Sequence, residues 1–400
     1  AWLSPQMHYS DADAWVRNRG TGISVVFMPV SGLHREDFRH YAEVCFRSFG
    51  GRVKHWITVN EPNVVSWYGY LKGTYPPGRC SPPHGNCTAG NSETEPFIAV
   101  HNMILAHLMA VQTYRKRYQS EQGGQIGVAI HSIMYEPLRM VEDDLRAAQR
   151  KLAFTNAWFL DPLVHGNYPP EMRSLLGGRL PRFSPEESNM LRGSLDFIAI
   201  NHYTTLYAKD CMHSPCESGG FAVEGCVFVT GERDGIPIGE ETASPTFYVV
   251  PDGMERLISY LKGRYNNTPM FIAENGYSQL NQPDGSTEVL LNDHKRVEYH
   301  RSYLSALVNA MRDGAEVRGY FVWSLLDNFE WLSGYTRRFG LHHVDYTTLT
   351  RTPKLSAKWY MHFLANNVSI EPRQGHVKNQ SPVEDQLVLI TATREGADAT

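Results

Sequence analysis

Nothing in this chain approaches the roughly 20 consecutive apolar residues of a membrane-spanning helix, so no membrane segment is expected. Charge of one sign is also scarce. Lys and Arg number 38 against 42 Asp and Glu, leaving a net charge of −4. That balance offers no basic stripe for a phosphate backbone, and nucleic acid is not an expected partner. The 17 histidines form no ligand-type cluster. His342 and His343 are adjacent rather than one helical turn apart, and His101 and His107 fall on a packing helix, so no metal or organic cofactor is called for. What the chain does have is a 42% hydrophobic and 12% aromatic content over 400 residues. That is enough for one large barrel or two ordinary domains.

Cysteine is sparse, with six residues. Cys80 and Cys87 bracket a short loop rich in Pro and Gly, which suits a local disulfide in an oxidising compartment. Cys211 and Cys216 are a second close pair, read as a further disulfide. Cys45 sits in a helical apolar pattern and reads as a buried free thiol. Asn86, Asn266, Asn367 and Asn379 each open a glycosylation sequon, which tilts the reading toward the secretory route. The amino terminus carries no signal peptide and does not start with Met, and it is read as an internal start.

From residue 36 onward helical patterns alternate with short apolar strands. Glu36–Phe49 reads as a helix, followed by strand Val53–Val59. Glu95–Tyr118 is a long helix with Phe97, Val100, Ile104, Leu108, Val111 and Tyr114 at spacings of three and four. Strand Ile126–His131, helical segments around 143–159 and strand Asp196–Asn201 come next, then a Cys/Gly-rich loop over about 209–245. Helix Asp252–Tyr265 precedes strand Pro269–Ala273. Helix Asp293–Asp313 precedes strand Val317–Trp323, and a helix near 353–364 closes the pattern. Such alternation specifies an α/β fold with a parallel sheet. Five strands are countable, where a closed β/α barrel has eight. Residues 1–34 do not fit this pattern, although Ile23–Met28 has strand propensity. Residues 366–400 form a polar tail expected to be poorly ordered.

Two glutamates stand at strand ends, Glu61 in Thr-Val-Asn-Glu-Pro-Asn and Glu274 in Phe-Ile-Ala-Glu-Asn-Gly-Tyr. The carboxyl ends of barrel strands form the active face, so residues distant in sequence converge there. Two converging carboxylates are what glycosidic bond cleavage needs. Each motif alone is weak, because Asn-Gly is a common turn and a Glu before Pro is usually a surface residue. Asn201-His202-Tyr203 ends another strand, and Tyr203 is placed to donate to a carboxylate. Trp323-Ser-Leu-Leu-Asp-Asn-Phe-Glu330-Trp331, with Phe339 further on, puts aromatic faces and a carboxylate after the last strand. Large aromatics are more often core residues, and only the combination points to sugar.

Together, in this order, these elements resemble the plant β-glucosidases of glycoside hydrolase family 1 over about residues 35–365. The resemblance implies a (β/α)8 TIM barrel, incomplete because three strand–helix units ahead of the first countable strand are not assignable. It implies a retaining enzyme that hydrolyses β-D-glucosides through a covalent glucosyl-enzyme, with carboxylates about 5 Å apart. Glu274 would be the ionised nucleophile and Glu61 the protonated acid/base. Asn60 would bind the sugar 2-hydroxyl, Asn201 would be a further substrate-binding residue, and Tyr203 would orient Glu274. Trp323 would form the platform, Glu330 and Trp331 would bind the far hydroxyls, and Phe339 matches another pocket position. Cys80–Cys87 matches the family's loop disulfide, and Glu61 in place of Gln argues against the myrosinase branch. The partner implied is a small-molecule β-glucoside, and the location is the cell wall, extracellular space or vacuole. The segments Ile130–Ser132 and Tyr135–Pro137, with the Cys211/Cys216 loop, resemble the branch acting on phenylpropanoid glucosides.

The chain departs from the family in three respects. Residues 8–34 carry none of its character and read as foreign sequence, and the pocket groups on the three unassigned strands are absent. Their loss would weaken transition-state binding. The alternative outcomes are an inactive barrel remnant with a binding role or none, or a transglucosidase using the same intermediate. In addition, Thr246-Phe247 stands where plant members usually have Trp-Leu, on the aglycone side.

Overall fold

The computed structural model describes residues 17–18, 22–23, 33–216, 218–281 and 287–365. Its central sheet has five strands: β1 His55–Asn60, β2 Gln125–His131, β3 Phe197–Asn201, β4 Met270–Asn275 and β5 Val317–Val322. They lie side by side in chain order, and every pairing is parallel. The principal helices are α1 Leu33–Phe49, α2 Glu95–Arg117, α3 Glu142–Leu152, α4 Pro251–Arg264, α5 His294–Arg312 and α6 Leu355–Ala365. One of α2 to α5 lies in each connection between successive strands. The five expected strands and their intervening helices are thus all present. Among the described residues the sheet does not close, and β1 and β5 each have a single strand neighbour in it.

The inner strands β2 and β3 are buried on both faces, as apolar parallel strands require, whereas β5 is buried only at Val317. All five residues of β3 are buried. Toward the helices, Trp56, Ile126, Val128, Ile198, Ile200 and Ile272 join one large core with Phe46, Ile104, Val111, Tyr114 and Leu257. On the opposite face Ala129, Phe197 and Ala199 form a smaller cluster with Ile57, Phe271 and Ala273. Here β2 and β3 approach so closely that a Cβ at Gly127 would sit 2.4 Å from the Phe197 carbonyl oxygen. Only glycine fits at that position.

Helix α2 corrects one sequence reading. By length and composition it is apolar enough to cross a membrane, yet 78% of its most apolar window is buried in the protein. Counting consecutive apolar residues misses it, because His101, Asn102 and His107 interrupt the run. It is a core helix. The segment after α3 is also more helical than expected, continuing through a π-helical turn at Ala153–Ala157 into Trp158–His165.

The region read as a loop over 209–245 contains short strands. Val227–Thr230 pairs antiparallel with Thr205–Asp210, which in turn pairs parallel with Met134–Pro137. Glu232–Arg233 and Ile236–Pro237 form a hairpin whose two-residue turn is Asp234 (φ 54°) and Gly235 (φ 72°). Asp-Gly with both residues at positive φ is a type I′ hairpin turn. That signal was on the sequence and went unread there.

Disulfides join Cys80 to Cys87 and Cys211 to Cys216, while Cys45 is free and buried. Two disulfides fit an oxidising, secretory route. Of the sequon asparagines, Asn86 and Asn266 are exposed, and Asn367 and Asn379 lie outside the described residues. Most of segment 1–34, including all but Ile23 of the strand-prone run, and the whole tail 366–400 lie outside them as well.

Candidate active site

Strand β1 ends at Asn60, and Glu61 follows with φ 48° and ψ 51°. A non-glycine residue held in the left-handed region is strained, and such strain collects at functional positions. The conformation is fixed on both sides. The Glu61 amide donates to the Ala129 carbonyl on β2 (2.8 Å), and Pro62 opens a short helix at a position where its missing N–H costs nothing. The result turns the Glu61 carboxylate across the ends of the neighbouring strands. Asn201 Nδ2, at the end of β3, donates to Glu61 Oε1 (2.9 Å) and to Asn60 Oδ1 (3.0 Å). His131 Nδ1, at the end of β2, lies 3.4 Å from the same Glu61 oxygen.

Glu274 is the penultimate residue of β4 and is 5% exposed. Tyr203, just past β3, donates its hydroxyl to Glu274 Oε2 (2.7 Å). The next residue, Asn275, is held from three directions. Its Nδ2 donates to the His202 carbonyl (2.7 Å) and the Tyr299 hydroxyl (2.9 Å), and its Oδ1 accepts from Tyr320 (2.6 Å). Gly276 then passes so near Trp323 that a Cβ there would meet its carbonyl oxygen at 2.0 Å. These contacts leave Glu274 no freedom to swing away from the strand ends.

The surroundings of Glu274 work against the ionised state expected of it. Burial pushes its pKa well above the ordinary carboxylate range, and the Glu61 charge and, more weakly, Glu330 push the same way. The Tyr203 hydrogen bond opposes them, as expected of a donor to the charged form. Tyr203 is itself pushed far up, first by burial and then by the Glu274 and Glu61 charges, so it stays a donor. Glu330 is raised to about 7, chiefly by burial, against hydrogen bonds from Trp323 and Asn328. Burial and the charges of Glu61 and Glu330 therefore all oppose the ionisation of Glu274.

The aromatic residues complete the cleft. Trp323 donates its indole N–H to Glu330 Oε1 (3.2 Å), which ties the expected platform to the expected hydroxyl-binding carboxylate. Phe339 meets Tyr203 edge-on, with centroids 6.0 Å apart. Phe247, the residue noted as departing from the family, stacks on Tyr203 at 5.2 Å and 20°. Trp331 (φ 49°) stacks on Tyr75 at 5.6 Å and 5°, and Tyr75 stacks on Tyr68 at 4.9 Å. Tyr68 is near enough to Glu61 to feel its charge.

Behind the loop that carries these rings lies a buried ion cluster. Asp327 accepts from Arg338 (2.7 Å), Lys354 (2.8 Å) and the Gly340 amide (2.9 Å). Burial works against its ionisation, but the Lys354 and Arg338 charges and hydrogen bonds prevail and hold its pKa low. The cluster pins the segment between Trp323 and Phe339.

Direct contacts join these residues in three groups, Asn60–Asn201–Glu61, Tyr203–Glu274 and Trp323–Glu330, with the Glu61 and Glu330 charges reaching Glu274 and Phe339 packing on Tyr203. Trp331 enters the cleft by another route, through Tyr75 and Tyr68. Those two tyrosines and His131 were missed as site residues. His131 ends an apolar strand, which is a usable signal; Tyr68 and Tyr75 lie in an aperiodic stretch with none.

The model of glycosyl hydrolase family 1 matches residues 33–369. Among curated relatives, "Probable inactive beta-glucosidase 14" of Oryza sativa subsp. japonica is 52% identical over 335 residues, covering 84% of this chain and 65% of the relative. The coniferin β-glucosidase of Pinus contorta is 48% identical over 352 residues, covering 87% and 68%. A rice β-glucosidase, Os3BGlu6, solved in a covalent complex with glucose, matches with a TM-score of 0.79 at 43% identity, over 83% of this chain and 70% of that one. The chain thus spans 65% to 68% of the length of these two curated relatives. The fold of such neighbours is the (β/α)8 barrel, and the five parallel strand–helix units are part of that arrangement.

Proposed function

Because the chain belongs to glycosyl hydrolase family 1, we propose that it is a retaining β-glucosidase in which Glu274 is the nucleophile and Glu61 the acid/base. The observation that carries the reading is the pair of carboxylates at the carboxyl ends of β1 and β4, Glu274 bonded to Tyr203 and Glu61 to Asn201. In the first step a Glu274 oxygen bonds to the anomeric carbon as the glycosidic bond breaks, and Glu61 gives its proton to the leaving oxygen. Esterification removes the Glu274 charge, so Glu61 is easier to ionise and can take a proton from the incoming water. Water then attacks the anomeric carbon, and Glu274 leaves as a carboxylate.

Glu274 must be ionised to attack, and its raised pKa places that requirement above the ordinary glutamate range. The acid limb of kcat/KM is expected to lie well above pH 4.5, with activity lost as pH falls through it. Removing the Tyr203 hydroxyl with Tyr203→Phe deletes a hydrogen bond to a charged group, worth about 1.5–3 kcal/mol. The expectation is a fall of roughly 10- to 100-fold in kcat/KM and a further upward move of the acid limb. A pH profile of both proteins checks it; an unmoved limb would contradict the assignment of Tyr203.

For the aglycone we infer a small aromatic group of the phenylpropanoid type. The Tyr68–Tyr75–Trp331 stack and Phe247 against Tyr203 present ring faces around the cleft. The relative named for coniferin supports the same class. Asn60, Trp323, Glu330 and Trp331 are proposed to hold the glucose hydroxyls, with Asn201 and Phe339 completing the pocket.

A second reading, an inactive remnant, is favoured by the burial and the Glu61 and Glu330 charges that oppose the ionisation of Glu274. Assay with an aryl and an alkyl β-glucoside separates the readings. Turnover that favours the aryl substrate and vanishes in Glu274→Ala supports the glucosidase. Folded protein without turnover supports the remnant. Glucosyl transfer to an added alcohol in place of water identifies a transglucosidase.

A further inference from the structure

Cys226 is free and partly exposed, and it lies one residue beyond a strand pair whose other strand leads into a cysteine already in a disulfide. Strands Thr205–Asp210 and Val227–Thr230 pair antiparallel with Asp210 opposite Val227. Beyond that pair the Cys211 amide donates to the Cys226 carbonyl (3.0 Å), while Cys226 turns out of the strand at φ 52° and gives its own amide to the Phe221 carbonyl (3.0 Å). A backbone N–H···O=C bond of this kind holds two chain segments about 4.7–4.9 Å apart. That lies within the span a disulfide bridges. Arg150 clamps the junction, donating to the Gly225 carbonyl (2.6 Å), the Cys226 carbonyl (3.2 Å) and Asp210 Oδ1 (2.7 Å).

We propose that Cys211, Cys216 and Cys226 form a thiol–disulfide exchange set, in which the bridge moves between Cys211–Cys216 and Cys211–Cys226. The Cys226 thiolate attacks the Cys211 sulfur. One sulfur–sulfur bond forms as the other breaks, and Cys216 leaves as a thiolate that takes up the proton Cys226 gave up. No oxidant is consumed, because the number of disulfides is unchanged. The move relocates the clasp from the tip at 211–216 to the neck of the whole 211–226 segment. Two of its residues reach the stretch 72–84: Phe221 meets His84 edge-on (4.6 Å), and Glu224 pairs with Lys72 (3.3 Å). Gly220 (φ +73°) runs hard against the present bridge, where a Cβ would meet Cys211 Sγ at 2.8 Å.

The test is disulfide mapping of Cys216→Ser, oxidised in a glutathione buffer and digested without reduction. The expected product is a Cys211–Cys226 peptide, with Cys45 the one thiol labelled after denaturation. Label on both Cys211 and Cys226 in protein that retains Cys80–Cys87 would overturn the proposal. A milder arm avoids dependence on that variant folding. Wild-type protein held with iodoacetamide at alkaline pH should acquire label on Cys216 at least roughly tenfold faster than Cys226→Ser does. Equal rates would overturn it equally.

Discussion

Glu274→Ala is expected to lower turnover of an aryl β-glucoside by roughly 10⁴-fold or more, because no other group can form the covalent intermediate. The companion Glu274→Gln should be equally inactive but more stable than wild type at neutral pH. Burial and the Glu61 and Glu330 carboxylates raise the Glu274 pKa in the folded chain. A carboxylate whose folded pKa lies above its unfolded value contributes most to stability below the unfolded pKa, and loses that contribution as pH rises through the folded one. At neutral pH an ionised Glu274 therefore costs stability, and an uncharged amide does not. Thermal melts at pH 5 and pH 7.5 should show the gap between Glu274→Gln and wild type widening with pH. A gap that narrows would mean that Glu274 is not destabilised by its neighbours.

Asp327→Ala should cost about 3–5 kcal/mol of stability, the range for removing one member of a buried ionic network. The substitution leaves Arg338, 5% exposed, and Lys354, fully buried, without their shared carboxylate. The folded pKa of Asp327 is depressed. Its contribution is therefore present above the unfolded value of about 3.9 and is lost as pH falls through the folded one. Denaturant unfolding at neutral pH should show the full loss, and wild type and variant should converge in acid. Activity is expected to fall as well, since the cluster pins the segment that carries Trp323, Glu330 and Trp331.

Much of this was legible in the sequence because the relevant signals are local. The three- and four-residue spacing of Phe97 to Tyr114 marked α2, and the apolar runs before Glu61, Tyr203 and Glu274 marked strand ends. Glu61 and Glu274 stood out because each motif combines a strand end with turn residues. What the sequence did not reveal depends on convergence. Nothing local to Tyr68 or Tyr75 says that their rings stack toward Trp331, a residue far along the chain. The raised Glu274 pKa is likewise invisible until Glu61 and Glu330 are seen sharing its cleft. The Asp234-Gly235 hairpin is a different case, a local signal overshadowed by the Cys/Gly-rich composition around it. Asn60 was expected to meet sugar, and in the folded chain its oxygen accepts from Asn201, a contact no spacing rule encodes.

Mass spectrometry of the protein after incubation with a slow fluorinated glucosyl donor addresses the central assignment. A glucosyl adduct on the peptide containing Glu274, absent in Glu274→Gln, is the predicted result. Folded protein that stays unlabelled, or an adduct on a peptide without Glu274, would contradict it.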